Sequence, residues 1–135
     1  MHSILVIDDE PDVRDAVKRV LDRAGYSVRT TDSGVDALAE LERIRTDVVI
    51  TDIIMPKIDG VQLIESIRKL FPSVRIIAIS GGGNFGIAAY QPTAITTTAY
   101  LASAELAGAH MGLTKPFESN DLIQAIERVL GVGHA

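Results

Sequence analysis

Five short apolar runs alternate with segments of helical periodicity, and this alternation limits the chain to few folds. The runs are Ser3–Ile7 (SILVI), Tyr26–Thr30 (YSVRT), Asp47–Thr51 (DVVIT), Val74–Ser80 (VRIIAIS) and, more weakly, His110–Thr114 (HMGLT). The first, third and fourth are apolar at almost every position, as expected of strands covered on both faces. After the first run, Val13, Val17, Val20, Leu21 and Ala24 recur at helical spacing, with Pro11 suited to the first turn and Gly25 to the end. Asp32 or Ser33 caps a second helix that turns Ala37, Leu38, Leu41 and Ile44 inward. Asp59 and Gln62 read as a capping box for a third, with Leu63, Ile64, Ile67 and Leu70 inward and Pro72 beyond it. A last helix over Ser119–Leu130 faces Leu122, Ile123, Ile126, Val129 and Leu130 to the core. Strand and helix alternating from end to end predict an α/β fold, a doubly wound parallel sheet with helices on both faces.

A chain of 135 residues reads as one domain over residues 1–135, with no linker or repeat to divide it. The net charge of −5 and the lack of a Lys/Arg-rich stripe argue against a nucleic-acid surface. There is no cysteine, so no disulfide framework and no thiolate metal site, which fits a reducing, cytoplasmic setting. The N-terminus lacks a basic leader region, and no stretch reaches the ~20 apolar residues of a membrane span. One segment is long. Residues 81–114 separate Ser80 from Lys115, where one helix with two short loops needs about 20 residues. The excess falls in residues 81–100 (GGGNFGIAAYQPTAITTTAY), an insertion rich in Gly, Thr and Ala.

The acidic residues sit where such a fold places its chemistry. Asp8 and Asp9 follow the first apolar run, and Asp52 follows the third. In a doubly wound sheet the carboxyl ends of the strands border the ligand crevice. Carboxylates gathered there alone would repel one another and take up protons. A hard divalent cation removes that problem: Mg²⁺ (Mn²⁺ being a plausible substitute) takes carboxylate, water and phosphate oxygens. Ser80 at the fourth strand end adds a hydroxyl, and Lys115 after the fifth adds a compact cation suited to a phosphoryl oxygen. Pro116 would fix where that ammonium points, through an extended Lys115 or a cis bond.

Plainer readings exist for each residue alone. Asp8 and Asp9 could favour a helix start, Asp52 could serve a turn before MPKIDG, Lys115 could be solvated, and Ser80 could be an ordinary strand-end serine. Their placement on one edge is what argues for a site. Gly81–Gly83 lack the lysine and spacing of a phosphate loop, and His2, His110 and His134 have no metal-ligand spacing.

The stretches ILVIDDEPDVR, DVVITDIIMPKIDG, IIAIS and LTKPF, in that order, resemble the receiver domain of two-component response regulators. The resemblance spans the whole chain. It implies a flavodoxin-like (βα)5 fold with strand order 2-1-3-4-5. It also implies that Asp52 accepts a phosphoryl group from a histidine kinase or histidine phosphotransfer protein. By the same carry-over Asp9, Asp52 and the main-chain carbonyl of Ile54 bind Mg²⁺ directly, Asp8 binds it through water, and Ser80 and Lys115 contact the phosphoryl oxygens. Such a domain is a signalling module acting on a downstream protein. It is an enzyme at most in self-phosphorylation from small donors and slow autodephosphorylation. The family usually places an aromatic three residues before the lysine, where this chain has Gly112. The expectation is that segment 81–100 takes over as the switch. A stand-alone receiver is the expected organisation, with a receiver belonging to a larger regulator or hybrid kinase as the alternative. Two rivals fit less well. An aspartyl-nucleophile phosphohydrolase wants a D-x-D pair after the first strand, and a flavin binder wants a phosphate loop where this chain has acids.

Overall fold

Strands β1 (Ser3–Ile7), β2 (Ser27–Thr31), β3 (Val48–Asp52), β4 (Arg75–Ser80) and β5 (Met111–Thr114) pair in parallel in the order 2-1-3-4-5. The structure is a computed structural model that describes residues 1–55, 58–80 and 94–131. The helices are α1 (Pro11–Arg23), α2 (Gly34–Arg43), α3 (Gly60–Leu70), α4 (Ala94–Ala107) and α5 (Ser119–Leu130). The predicted doubly wound sheet and its strand order are therefore what the chain adopts.

The unbroken apolar strands have their expected cause. Leu5, Ile7, Val49, Ile76 and Ala78 face α2, α3 and α4, where Ala37, Leu41, Leu63, Ile64, Ile67 and Ala104 complete one core. Their alternates Ile4, Val6, Val48, Ile50, Ile77 and Ile79 face α1 and α5, meeting Val17, Leu21, Leu122, Ala125 and Ile126. Period-two alternation thus divides one apolar strand between two cores.

The helix ends follow local chemistry. Pro11 opens α1, and Gly25 leaves it at φ +96°, a conformation that side chains disfavour. Ser33, of the two candidates, caps α2 by accepting from the Asp36 amide. Asp59 caps α3 by accepting from the amides of Val61 and Gln62 at 3.0 and 3.1 Å. Glu118 and Asp121 form a reciprocal capping box on α5 that the sequence reading passed over.

Two expectations need correction. Leu70 is 60% exposed rather than inward, because α3 ends there and Phe71 turns back against the core in its place. Ile44 lies just past α2 in extended backbone. Residues 94–100, assigned above to the insertion, form the first turns of α4. Residues 81–93, with Gly81–Gly83 and most of the proposed switch segment, lie outside the described residues, as does His134.

His110 closes the edge of the sheet opposite the acids. Its backbone amide donates to Ile76 O at 2.8 Å, and its Nδ1 accepts from the Ile76 amide at 3.0 Å. That bond requires an unprotonated Nδ1. Partial burial, then the charges of Arg68 and Arg75, hold its pKa below the ordinary histidine value. The folded state therefore binds fewer protons here than the unfolded chain. The stabilisation is present above the unfolded value near 6.5 and is lost as pH falls through the folded one. The expected result is a wild-type denaturation midpoint that falls more steeply between pH 7 and 5 than that of His110→Ala. Parallel pH profiles would count against it.

Candidate functional site

The sheet delivers the predicted residues to one edge. Asp8 follows β1 and its amide donates to Thr31 O at 3.1 Å, carrying the pairing with β2 one residue further. Asp52 is the last residue of β3, opposite Ile79, and Thr51 Oγ1 donates to its carbonyl at 3.0 Å. Ser80 ends β4 opposite Thr114, and the Lys115 amide donates to Ser80 O at 2.7 Å. The Lys115–Pro116 peptide is cis, one of the two arrangements anticipated.

Past Asp52 the chain is held by contact rather than by length. The Ile53 amide donates to Ile79 O at 3.0 Å, and Ile54–Met55 pairs antiparallel with Ile58–Asp59. Gly60 then sits so close that a Cβ there would overlap the backbone oxygen and Cα of Ile53. Backbone atoms cannot step aside as a flexible side chain can. Gly60→Ala is expected to cost about 1–3 kcal/mol, the usual range for overpacking. Urea denaturation measures it, and an unchanged midpoint would show that the loop absorbs the extra carbon.

The side chains converge on Lys115. Its Nζ donates to Asp52 Oδ2 at 2.7 Å, to Asp8 Oδ2 at 3.3 Å and to Glu10 Oε1 at 3.4 Å. Burial disfavours the ammonium, but the hydrogen bond and charge of Asp52, then Asp8 and Glu10, outweigh it and hold the lysine pKa above its ordinary value. Asp8 is only 2% exposed. Burial raises its pKa to about 6 and the Asp52 charge adds to this, against the opposing Glu10 amide and Lys115. Ser80 is 1% exposed, and its Oγ has no hydrogen-bond partner among the described residues. A buried hydroxyl is seldom left unsatisfied, and water, an ion or a bound group supplies the partner where the protein does not.

A divalent cation fits this arrangement. Asp8, Glu10 and Asp52 each offer an oxygen, all within 4.8 Å of one another. Three ionised carboxylates against one ammonium leave an excess of negative charge that a hard dication offsets. Asp9, named by the resemblance as a ligand, is half-buried beside this trio and outside it. Ile54 lies in the short ladder two residues past Asp52. Glu10 is the residue the sequence reading missed. Its signal was present: it is the third acid of the DDE run, spaced two from Asp8 where the strand leaves the sheet.

The capping alternative for the first two acids also finds its answer here. The N-cap of α1 is Glu10, not Asp8 or Asp9, and the Glu10 side chain makes no capping hydrogen bond. Asp8 Oδ1 instead accepts from the Glu10 amide at 2.9 Å, and Arg14 Nη1 donates to Asp8 O at 2.8 Å.

A doubly wound sheet with an acid trio and a lysine at its carboxyl edge defines a class of protein, and comparison with known proteins places it. The profile of the response regulator receiver domain matches residues 4–127. The receiver protein CpdR of Brucella abortus is 31% identical over 130 residues, covering 96% of this chain and 98% of that protein. The nitrogen assimilation regulatory protein NtrX of Azorhizobium caulinodans is 34% identical over 131 residues, covering 96% of this chain and 26% of that protein. The crystallised chemotaxis protein CheY4 of Vibrio cholerae superposes with a TM-score of 0.79 at 27% identity, over 96% of this chain and 98% of that one. The chain thus spans about a quarter of the regulators NtrX and NtrC that it matches, but nearly all of CpdR. It belongs to the response regulator receiver family of two-component systems. Among the described residues no helix is long and apolar enough to cross a membrane.

Proposed function

We propose that the Asp52 carboxylate accepts a phosphoryl group from a histidine kinase or histidine phosphotransfer protein, with Mg²⁺ held beside Asp8 and Asp52 at the carboxyl edge of the sheet. One observation carries the reading. Asp52 stands 6% exposed at a strand end, 2.7 Å from a lysine ammonium and beside two further carboxylates, and the neighbouring strand ends in a serine hydroxyl with no partner among the described residues. An Asp52 oxygen forms the new O–P bond as the N–P bond to the donor imidazole breaks, and the electron pair leaves on the imidazole nitrogen. By the family's ligand set Asp9, Asp52 and the Ile54 carbonyl would hold the cation directly and Asp8 would hold it through water, where the Asp8 and Asp52 oxygens already converge. Bound there, Mg²⁺ neutralises charge on the phosphoryl oxygens. Lys115 leaves Asp52 for one of those oxygens, and Ser80 Oγ donates to another. The output is a changed protein–protein contact in the cytoplasm, not turnover of a metabolite.

The test is direct. With acetyl phosphate and Mg²⁺ the intact protein is expected to gain one phosphoryl group, and Asp52→Asn none. Multiple turnovers of donor with no retained group would favour a phosphohydrolase instead.

A further inference from the structure

We infer that Glu10 is a positioning residue for Lys115, a second seat that draws the ammonium off Asp52 so that cation and phosphoryl group can reach it. The inference rests on the phosphoryl-acceptor reading above and adds a residue outside its ligand set.

Glu10 occupies the N-cap of α1, where a shorter Ser, Thr, Asp or Asn side chain would accept from the first amides of the helix. It makes no such bond. Its backbone is pinned by the hydrogen bond to Asp8 Oδ1, and its carboxylate reaches Lys115 instead.

An ammonium has three donor hydrogens, and this one has three carboxylates within reach. They differ in fate. Asp52, at 2.7 Å, is the nucleophile, and Asp8, at 3.3 Å, faces the cation. Both are engaged when the site is loaded. Glu10, at 3.4 Å and with its side chain 35% exposed, lies at the rim, outside the family's ligand set and within reach of the ammonium. Without it the lysine would divide its hydrogen bonds between Asp8 and Asp52 alone. It would then hold the attacking oxygen and repel the incoming dication.

A double-mutant cycle separates this role from a plain contribution of negative charge. Mg²⁺ binding is measured by calorimetry in the wild type, Glu10→Gln, Lys115→Met and the double variant, without any phosphoryl donor. The expected result is about two- to fivefold weaker binding in Glu10→Gln, the scale of a partly exposed ion pair, and no effect of Glu10→Gln in the Lys115→Met background. Equal weakening in both backgrounds overturns the inference, because Glu10 would then act on the cation itself; no weakening in the wild-type background also overturns it. Should Lys115→Met fail to fold, the ¹⁵Nζ resonance of Lys115 gives the answer in metal-free protein. It moves on Glu10→Gln if the pair exists, and an unchanged resonance ends the proposal. A wild type that is phosphorylated on Asp52 but shows no coupling removes only the role of Glu10. A wild type that neither binds Mg²⁺ nor takes up a phosphoryl group removes the acceptor reading as well.

Discussion

Lys115→Met is expected to destabilise the metal-free protein by about 3–5 kcal/mol at pH 7.5, the cost of removing one partner from a buried ion pair. The lysine side chain is 11% exposed and lies against Asp8 and Asp52, both nearly sequestered from water. Methionine keeps most of the volume and removes the charge, leaving carboxylates with little solvent to screen them. Mg²⁺ replaces the lost positive charge, so millimolar Mg²⁺ should narrow the gap between variant and wild type. Phosphoryl uptake should not recover with it. On the proposed reading the ammonium stabilises the transferring oxygens, and loss of one preorganised donor costs about 10²–10³ in rate. Urea midpoints with and without Mg²⁺, together with the rate of mass gain from acetyl phosphate, check both halves. A variant within about 1 kcal/mol of wild type without metal would mean that water reaches the acids and the cluster is not sealed.

Much of this architecture was readable from the residues. Ile4–Ile7, Val48–Ile50 and Ile76–Ile79 are apolar without interruption because both faces are covered, and that pattern alone placed three central strands. Amphipathic stripes located α1, α2, α3 and α5 to within a residue or two. Helix α4 escaped because AITTTAYLASAELA carries no apolar stripe to mark a buried face, so its first half looked like loop. Leu70 had the right spacing and the wrong ending: periodicity predicts a face but not where the helix stops. Among site residues, Asp8, Asp52, Ser80 and Lys115 were legible because strand ends fix position along the edge. Glu10 carried a signal as the third acid of the DDE run, but its contact did not, because that depends on a side chain reaching across to a residue 105 positions away. No spacing rule on one segment reports such a contact.

Gathering acids at one edge of the sheet costs the fold stability. Asp8→Asn is expected to stabilise the metal-free protein at pH 7.5, by about 2–3 kcal/mol. The sign follows from the protons. Folding raises the Asp8 pKa from 3.8 to about 6, so between those values the folded state binds more protons than the unfolded chain. The contribution of this group is fully present below the unfolded value and is lost as pH rises through about 6. Above that, an ionised Asp8 is held against its preference, chiefly by burial and then by Asp52. Asparagine presents the same oxygen to the Glu10 amide without the charge. The same substitution should weaken Mg²⁺ binding and flatten its dependence on pH between 5 and 7, since wild-type Asp8 must lose a proton as the cation enters. Thermal denaturation across pH 4–8 and calorimetric Mg²⁺ titrations at pH 5.5 and 7.5 measure these effects. If Asp8→Asn lowers metal-free stability at pH 7.5, then Lys115 and the amide already compensate the charge, and the cluster is not poised for a cation. If it raises stability while cutting Mg²⁺ affinity, the acid is kept at a cost to the fold because the cation requires it.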